Sequence, residues 1–536
     1  MALAAANLLV SLIGSGRFHW RIGPYSFPAE NPFKPLLVLN GVFLLNLLFG
    51  GKRVRSEDCS QETAWFARCG SAAFALLLVA FTVALYLPAL QVNIADHDWT
   101  NRHFGVELAS PAAVAHLFVN PAIDGMYRPL AHLSFRLDYR IFGDSLWGYH
   151  LQSIALHVLN SMLVVLLGAH LGMLPAVSRG AALLFAASSV HFEAVLWPAA
   201  RFDPLATLFC LLSLLCFIRY WKAPGYAVGY LVASLSCFVV GILNKETAYS
   251  LVLLIPALIV TRRLWGLPPV ALRKALLFVA ALSACAAILI GIRIRLFGSL
   301  GGYSYYTGQP AVPVHFFKMI YLFVERSLAL TPFAVNMDRK TLAGSVILGA
   351  YALLLAALVF RYRSGAQGRL RALTALTLLS AVPVLTVIGW VQPSLQHGRH
   401  LYWPLVWMSL LLAMALQRTN AHGRAILILL AVQCAGLSYN IWVYRDSLNR
   451  IDSAVRTVVS GTIEARTADG AVLVFGVPNS LNGTQYYVSE FEYRLEKALP
   501  GRSVRFCASP RECADAAGAA VYHWNAALRT LDPGMP

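Results

Sequence analysis

Charge is what this sequence has least of. Only 13% of its 536 residues are Asp, Glu, Lys or Arg, and just 25 are acidic; a soluble domain carries about 25% charged residues. That shortfall is too large to come from a big buried core, so it excludes an ordinary soluble protein. The period-two alternation of a membrane barrel is missing as well. So are a phosphate-cradling Walker loop, a dinucleotide fingerprint and zinc-ligand spacing. The nine cysteines offer no nucleophile. Cys210, Cys216, Cys237, Cys285 and Cys434 lie in apolar runs, where a small buried hydrophobe is expected. Cys59 and Cys69 flank a loop with no metal pattern, and Cys507 and Cys513 are placed to close a small disulfide if the tail is extracytoplasmic. The apolar start Ala2–Ile13 lacks a basic leader and a clear cleavage site, which argues against a cleaved signal peptide. No internal repeat is visible, and the only turn-rich stretch lies around Ser364–Gly368.

What is present is apolar sequence. Hydrophobic residues make up 58% of the chain and the mean hydropathy is +0.62. Runs near the roughly 17–25 residues that span hydrocarbon recur at Leu76–Leu90, Leu156–Leu171, Ala181–Trp197, Leu205–Ile218, Ala275–Ile292, Val346–Phe360 and Ala425–Val443. Backbone polar groups in lipid must be satisfied within the segment, so these runs read as helices. The expectation is an all-α polytopic membrane domain over 1–444, with about 11–13 spanning helices. The predicted spans fall near 35–51, 70–90, 150–171, 180–198, 203–219, 226–243, 247–260, 274–292, 342–360, 372–391, 401–417 and 424–443. A polar and aromatic loop covers 91–149, and an outer segment begins near residue 293. From Arg445 the composition becomes soluble in type; a strand at Val472–Val477 and a helix at Phe491–Ala498 predict a small α/β domain over 445–536.

The net charge of +18 is distributed rather than patched, which excludes a nucleic-acid footprint. Lys52/Arg53/Arg55, Arg219/Lys222, Arg262/Arg263/Arg273/Lys274, Arg361/Arg363/Arg369/Arg371 and Arg418/Arg424 occupy short loops that fall on one side when the helices are threaded in order. The positive-inside rule makes that side cytoplasmic.

The polar residues at helix ends collect on the opposite, extracytoplasmic side. Polar groups at membrane depth are costly and mark function by default. Asp96 and Asp98 follow an early span, and Tyr127-Arg128 sit later in the same loop. His150, His157 and Asn160 share one helix face. Glu193, Trp197, Arg201 and Asp203 close one helix and open the next. Lys245 and Glu246 interrupt an apolar stretch, and Gln396, His397 and Arg399 mark another outer turn. Each has a plainer reading: a solvated loop Asp, a headgroup-anchoring Arg128, packing histidines, or a structural ion pair of Arg201 with Asp203 or Glu193.

An ordered series of motifs resembles the multispanning glycosyltransferase C superfamily, above all the membrane part of the transmembrane and tetratricopeptide-repeat O-mannosyltransferases and their bacterial relatives. It comprises ADHD (95–98), YRPL (127–130), FGDSLWGYHLQSIALHVLNS (142–161), VHFEAVLWPAARFDPLATLF (190–209), GILNKETA (241–248) and GRHLYWP (398–404). The sequence departs from the family pattern at four places. Ser153 replaces an Asn, Ser188-Ser189 replace His-Pro, Gly398 replaces an acid, and His400 replaces a Tyr. A short C-terminal domain stands where the family has tetratricopeptide repeats.

The resemblance implies transfer of a sugar from a polyprenyl-phosphate donor to a hydroxyl acceptor on protein, lipid or glycan, with inversion, at the extracytoplasmic face. It assigns Asp96 as general base with Asp98 as partner, and Arg128, Arg201, Lys245 and Arg399 as contacts to the donor phosphate. Tyr127, His150, His157, Glu193, Trp197, Asp203, Glu246, Gln396 and His397 are the expected sugar or acceptor pocket. No cofactor is required, because cations alone can neutralise a leaving phosphate; a divalent metal has its one candidate seat at Asp96 and Asp98. The Ala-, Leu- and Arg-rich composition leans towards a bacterial inner membrane with a periplasmic active site. The rival readings are a transporter or flippase of lipid-linked sugars, an oligosaccharide ligase or polymerase, and a non-catalytic scaffold.

Overall fold

The computed structural model describes residues 19–22, 25–28, 70–91, 110–119, 126–143, 145–269, 271–298, 366–385, 398–417 and 422–464. In the tail it describes 472–477, 480–481, 484–485, 495, 498–500, 502–507, 520–525 and 530–533. The spans expected near 35–51 and 342–360 lie outside these residues, as do Asp96, Asp98, Gln396 and His397.

A two-stranded antiparallel hairpin, β1 (His19–Ile22) and β2 (Tyr25–Pro28), comes first. The helices follow: α1 (Ser71–Tyr86), α2 (Pro111–Val119), α3 (Pro129–Phe142), α4 (Leu146–His170), α5 (Pro175–Ala187), α6 (Phe192–Leu196), α7 (Phe202–Lys222), α8 (Val228–Asn244), α9 (Leu251–Val260), α10 (Leu272–Phe297), α11 (Ala366–Leu385), α12 (Tyr402–Leu416) and α13 (His422–Glu464). Among the described residues, four helical segments are long and apolar enough to cross a membrane: Ser71–Leu90, Trp147–His170, Pro198–Lys222 and Leu272–Phe297. Pro175–Ala187, Val228–Asn244 and Glu246–Val260 are apolar but shorter. Leu76 is 72% exposed and Ile288 63% exposed. Apolar side chains left open on such helices suit lipid, where no aqueous penalty applies.

Three departures from the expected layout matter for function. The 91–149 loop contains α2 and α3. Pro129 at the first helical position fixes the start of α3, and Ala131, His132, Phe135 and Asp138 recur on its buried face. The span expected to end at Ile292 runs on to Phe297, which puts Arg293 inside α10. The change of composition at Arg445 does not break the chain, because α13 is continuous for 43 residues.

The tail holds a four-stranded sheet in the order β6-β3-β7-β8. Its centre is β3 (Val472–Phe475), parallel to β6 (Val504–Cys507) and β7 (Ala520–Asn525), while β8 (Thr530–Pro533) joins antiparallel. All four β3 residues are buried, as a central strand covered on both faces should be. Ser480–Leu481 (β4) and Thr484–Gln485 (β5) form a separate hairpin. Cys507 is disulfide-bonded.

The two ends of the helix bundle differ in what their cations do. At one end they cap helix C-termini. Lys222 Nζ donates to the His170 carbonyl at 3.1 Å, Lys274 Nζ to Ala223 at 2.9 Å, and Arg369 Nε to Leu264 at 2.6 Å. These carbonyls have no partner within their helix, and a cation there also opposes the helix dipole. At the other end the cations meet carboxylates.

Candidate functional site

That second end collects the start of α4, the end of α5, the start of α7, the end of α8 and the end of α10, together with the turn Gly398–Leu401 that opens α12. Four ion-pair groups occupy it.

Arg128, just before α3, places Nη2 2.8 Å and Nε 3.3 Å from Glu246 Oε2. Arg293 of α10 reaches the other oxygen of the same carboxylate, with Nη1 3.0 Å from Oε1. The Arg128 guanidinium also lies over the Phe202 ring at 5.1 Å. Glu246 is brought there by Lys245, whose extended backbone (φ −161°, ψ 148°) ends α8 and sends consecutive side chains to different partners.

Lys245 is the hub of the second group. Its Nζ is 2.5 Å from Asp203 Oδ2 and 3.3 Å from His400 Nδ1. The third pair, Arg201 with Asp138, is fully buried on both sides. Arg201 also donates to the Tyr149 carbonyl at 3.2 Å and stacks over Phe135 at 4.7 Å. Burial pushes the Asp138 carboxyl up to about 6 against the opposing pull of Arg201. On the same helix, burial and then Arg128 push His132 down to about 4, so that ring is neutral at physiological pH.

Arg399 and Glu193 form the fourth pair. The Arg399 backbone N–H also donates to Glu193 Oε2 at 2.9 Å, and its guanidinium lies 4.7 Å over the Trp197 ring. Gly398 permits this approach, since a Cβ there would stand 3.0 Å from the Val190 carbonyl oxygen.

A neutral polar cluster lies among the helices that open this rim. His157 Nε2 donates to the Ala186 carbonyl at 3.1 Å, and Nδ1 accepts from the Tyr402 hydroxyl at 2.7 Å. Asn160 donates to the Pro204 carbonyl at 2.9 Å and to the Tyr402 oxygen at 3.3 Å. The His191 ring packs 4.4 Å from Tyr402 and donates from Nδ1 to Phe185. Its buried Nε2 and the buried Tyr86 hydroxyl have no hydrogen-bond partner among the described residues.

Every expected site residue within the described residues lies at this end. Arg128, Glu193, Arg201, Asp203, Lys245, Glu246 and Arg399 are joined by the ion pairs. His150 is buried at the start of α4, next to the Tyr149 carbonyl that Arg201 holds. Tyr127 is buried and donates to the Phe118 carbonyl at 3.1 Å. Asp138, Arg293, His400 and Tyr402 were not among the expected site residues, although the structure ties each to one that was. For Asp138 the available signal was the buried repeat along α3. For Arg293 it was a lone cation beside an apolar run. Among the described residues no cluster of three His, Cys, Asp or Glu side chains could hold a metal.

Human protein O-mannosyl-transferase TMTC2 is 32% identical over 188 residues, which cover 32% of this chain and 22% of that protein. Over that segment the chain is a relative of the protein O-mannosyl-transferases. It spans only about a fifth of the length of the human relative it matches. No protein-family model matches the chain. Among solved structures, the arabinofuranosyltransferase AftD from mycobacteria is 15% identical with a TM-score of 0.43, over 82% of this chain and 32% of that one. ArnT from Cupriavidus metallidurans, solved with bound undecaprenyl phosphate, is 15% identical with a TM-score of 0.35, over 85% and 93% of the two chains. At these TM-scores neither likeness bears on individual residues.

Proposed function

We propose that this chain is a membrane glycosyltransferase that moves one sugar from a polyprenyl-phosphate donor to a hydroxyl acceptor, with inversion, at the end of the bundle where the ion pairs converge. The observation that carries the reading is that convergence: five cations and four carboxylates, drawn from segments between Arg128 and Arg399, meet on one rim. Relationship to part of the O-mannosyl-transferases supports the reaction class. The departure of a phosphate-bearing lipid needs preorganised cations, and Arg128, Arg293, Lys245 and Arg399 supply them. Removal of the acceptor proton needs a carboxylate base. Asp96 is proposed for that role with Asp98 beside it, where a divalent metal would also sit. The sugar stacks on Trp197, with Glu193, Asp203 and His150 ordering its surroundings. On composition, the compartment is proposed to be a bacterial inner membrane with the site facing the periplasm.

Purified protein incubated with a panel of polyprenyl-phosphate sugars should release free polyprenyl phosphate from at least one of them. Release from none would overturn the proposal and favour a transporter or a scaffold. Asp96→Asn should abolish transfer while donor binding persists. Turnover near wild type would remove Asp96 from the base role.

A further inference from the structure

Carboxylates are confined to one end of the bundle. Before α13 the described residues hold four of them, Asp138, Glu193, Asp203 and Glu246, and all four belong to the ion-paired rim. Among the described residues the opposite end has cations and no carboxylate. Several of those cations are occupied. Lys222, Lys274 and Arg369 cap helix-end carbonyls, and Arg262 donates to the Ile259 carbonyl at 3.3 Å. Arg263 and Arg273 differ from them: both are exposed, and the ion pairs among the described residues include neither. They bracket the connection between α9 and α10, two helices that pack on each other.

Beside each arginine runs an apolar stripe that the protein leaves open. On α10, Leu276 lies one turn beyond Arg273 and is 57% exposed. Ala280 and Ala284, both exposed, and Ile288, 63% exposed, continue that face at four-residue spacing. On α9, Leu253 and Val260 are 40% and 78% exposed and stand two turns apart. α10 is long and apolar enough to cross the membrane, so its stripe faces hydrocarbon while Arg273 stands at the helix start, where headgroups lie. Two exposed cations, each above an apolar stripe, match the outline of a phospholipid with an anionic head and two acyl chains.

We propose that Arg263 and Arg273 seat the phosphodiester of an anionic phospholipid whose acyl chains lie along the exposed faces of α9 and α10. The lipid supplies the anion, and a planar guanidinium binds two phosphate oxygens at once. A choline lipid carries the same phosphodiester with its own cation beside it, which weakens the attraction. An acidic soluble partner would use the arginines but leave the stripes bare. The seat is at the end of the bundle away from the rim and is separate from the donor-phosphate contacts proposed there. Arginines that merely snorkel to the interface would not discriminate between lipids of equal chain length.

Full-length protein in mixed micelles is titrated with dioleoyl phosphatidylglycerol or dioleoyl phosphatidylcholine, retained lipid is read by native mass spectrometry, and folding is followed by melting temperature. Wild-type protein should retain phosphatidylglycerol in preference to phosphatidylcholine; equal retention overturns the seat and needs no variant to show it. Arg263→Gln and Arg273→Gln should each weaken phosphatidylglycerol binding about fivefold, and the double variant about 25-fold, the scale of one juxtamembrane cation each. Arg263→Lys and Arg273→Lys should lose less than the Gln variants. Arg456→Gln is the control: it removes the same charge from an exposed position on α13 and should leave binding unchanged. A loss as large in Arg456→Gln shows only a response to net charge and overturns the seat. Glycerol phosphate has the head without the chains and should compete poorly; competition as effective as the lipid's own overturns the assignment to a lipid. None of these readings uses sugar transfer, so they stand or fall apart from the proposed reaction.

Discussion

Arg201 and Asp138 offer the sharpest separation of scaffold from chemistry. Both side chains are fully buried, so replacing Arg201 with Met strands a carboxylate away from water. Breaking a buried pair from one side costs about 3–5 kcal/mol. The Tyr149 carbonyl also loses one of its donors, keeping Ser153 Oγ, which adds about 1 kcal/mol at most. Asp138→Leu strands a guanidinium instead, at a similar cost of about 3–5 kcal/mol. Neither penalty applies when both charges go, since apolar residues of similar volume often replace a buried pair at little cost. The double variant Arg201→Met/Asp138→Leu should therefore be more stable than either single variant, with a coupling energy of at least about 3 kcal/mol. Unfolding in mixed micelles, followed by helical circular dichroism, measures all four corners of the cycle. Near-additive losses would refute the reasoning. Transfer kinetics on the double variant then divide the roles: an unchanged donor KM leaves Arg201 in the scaffold, and lost donor binding makes it the phosphate contact that the motifs imply.

Three other outcomes follow from single sites. Gly461→Leu places a side chain where a Cβ alone would already stand 2.7 Å from the Tyr522 hydroxyl. It should cost about 1–3 kcal/mol of sheet docking and speed proteolytic release of the C-terminal sheet; an unchanged rate of release would count against that docking. Arg399→Ala removes the partner of Glu193 and the cation over Trp197, and should raise the donor KM about tenfold or more, whereas unchanged donor affinity takes Arg399 out of the site. His132 carries its pH dependence in a definite direction. Its folded pKa of about 4 lies below the ordinary value of 6.5, so its neutral burial favours the folded state above pH 6.5 and that stability is lost as pH falls towards 4. The stability gap between wild type and His132→Gln should shrink by about 1.4 kcal/mol per pH unit across that window, and a gap that is constant with pH would contradict the burial of a neutral ring.

The helices were legible because hydrocarbon imposes a length and an apolar composition that few other constraints mimic. The end of the bundle where the ion pairs gather was legible for a related reason: charge is so scarce that Arg128, Glu193, Arg201, Asp203, Lys245 and Arg399 stand out at helix ends. Partners were a different matter. Arg201 was matched with Asp203 or Glu193 because they are close in sequence, yet its carboxylate is Asp138, on α3 and one helix earlier in the chain than α4. Arg293 was hidden by the assumption that a span stops at its first cation, although the half-buried carboxylate of Glu246, from another turn, meets it and allows the helix to continue. The 91–149 loop was read from its polarity, and the short amphipathic pattern of α3 was lost within it. Pairing across helices is set by packing, and a single sequence has periodicity to show faces but nothing to show which faces meet.

The departures from the family pattern become intelligible in the same terms. Ser189 stands where the family pattern that the motifs resemble would place a proline. Its backbone N–H and its hydroxyl both reach Gln433 Oε1 at 2.9 Å, and its carbonyl accepts from Asn440 at 3.3 Å. A proline has neither the N–H nor a hydroxyl to give, so it would leave Gln433 Oε1 with neither of these bonds. Phe192 meets Tyr444 one turn further along, at 6.2 Å between rings. α13 is thus clamped to the site rim from Gln433 to Tyr444. The 20 helical residues from there to Glu464 extend it by about 30 Å. Near the far end, Val458 and Thr462 hold the Tyr522 hydroxyl at 3.1 and 3.0 Å, and Arg502 donates to the Thr462 carbonyl at 3.2 Å. The C-terminal sheet therefore stands at the same end of the molecule as the ion-paired rim, carried on the helix that Ser189 secures. A residue that departs from the motif is, in this fold, what fastens the helix carrying the C-terminal sheet to the rim of the bundle.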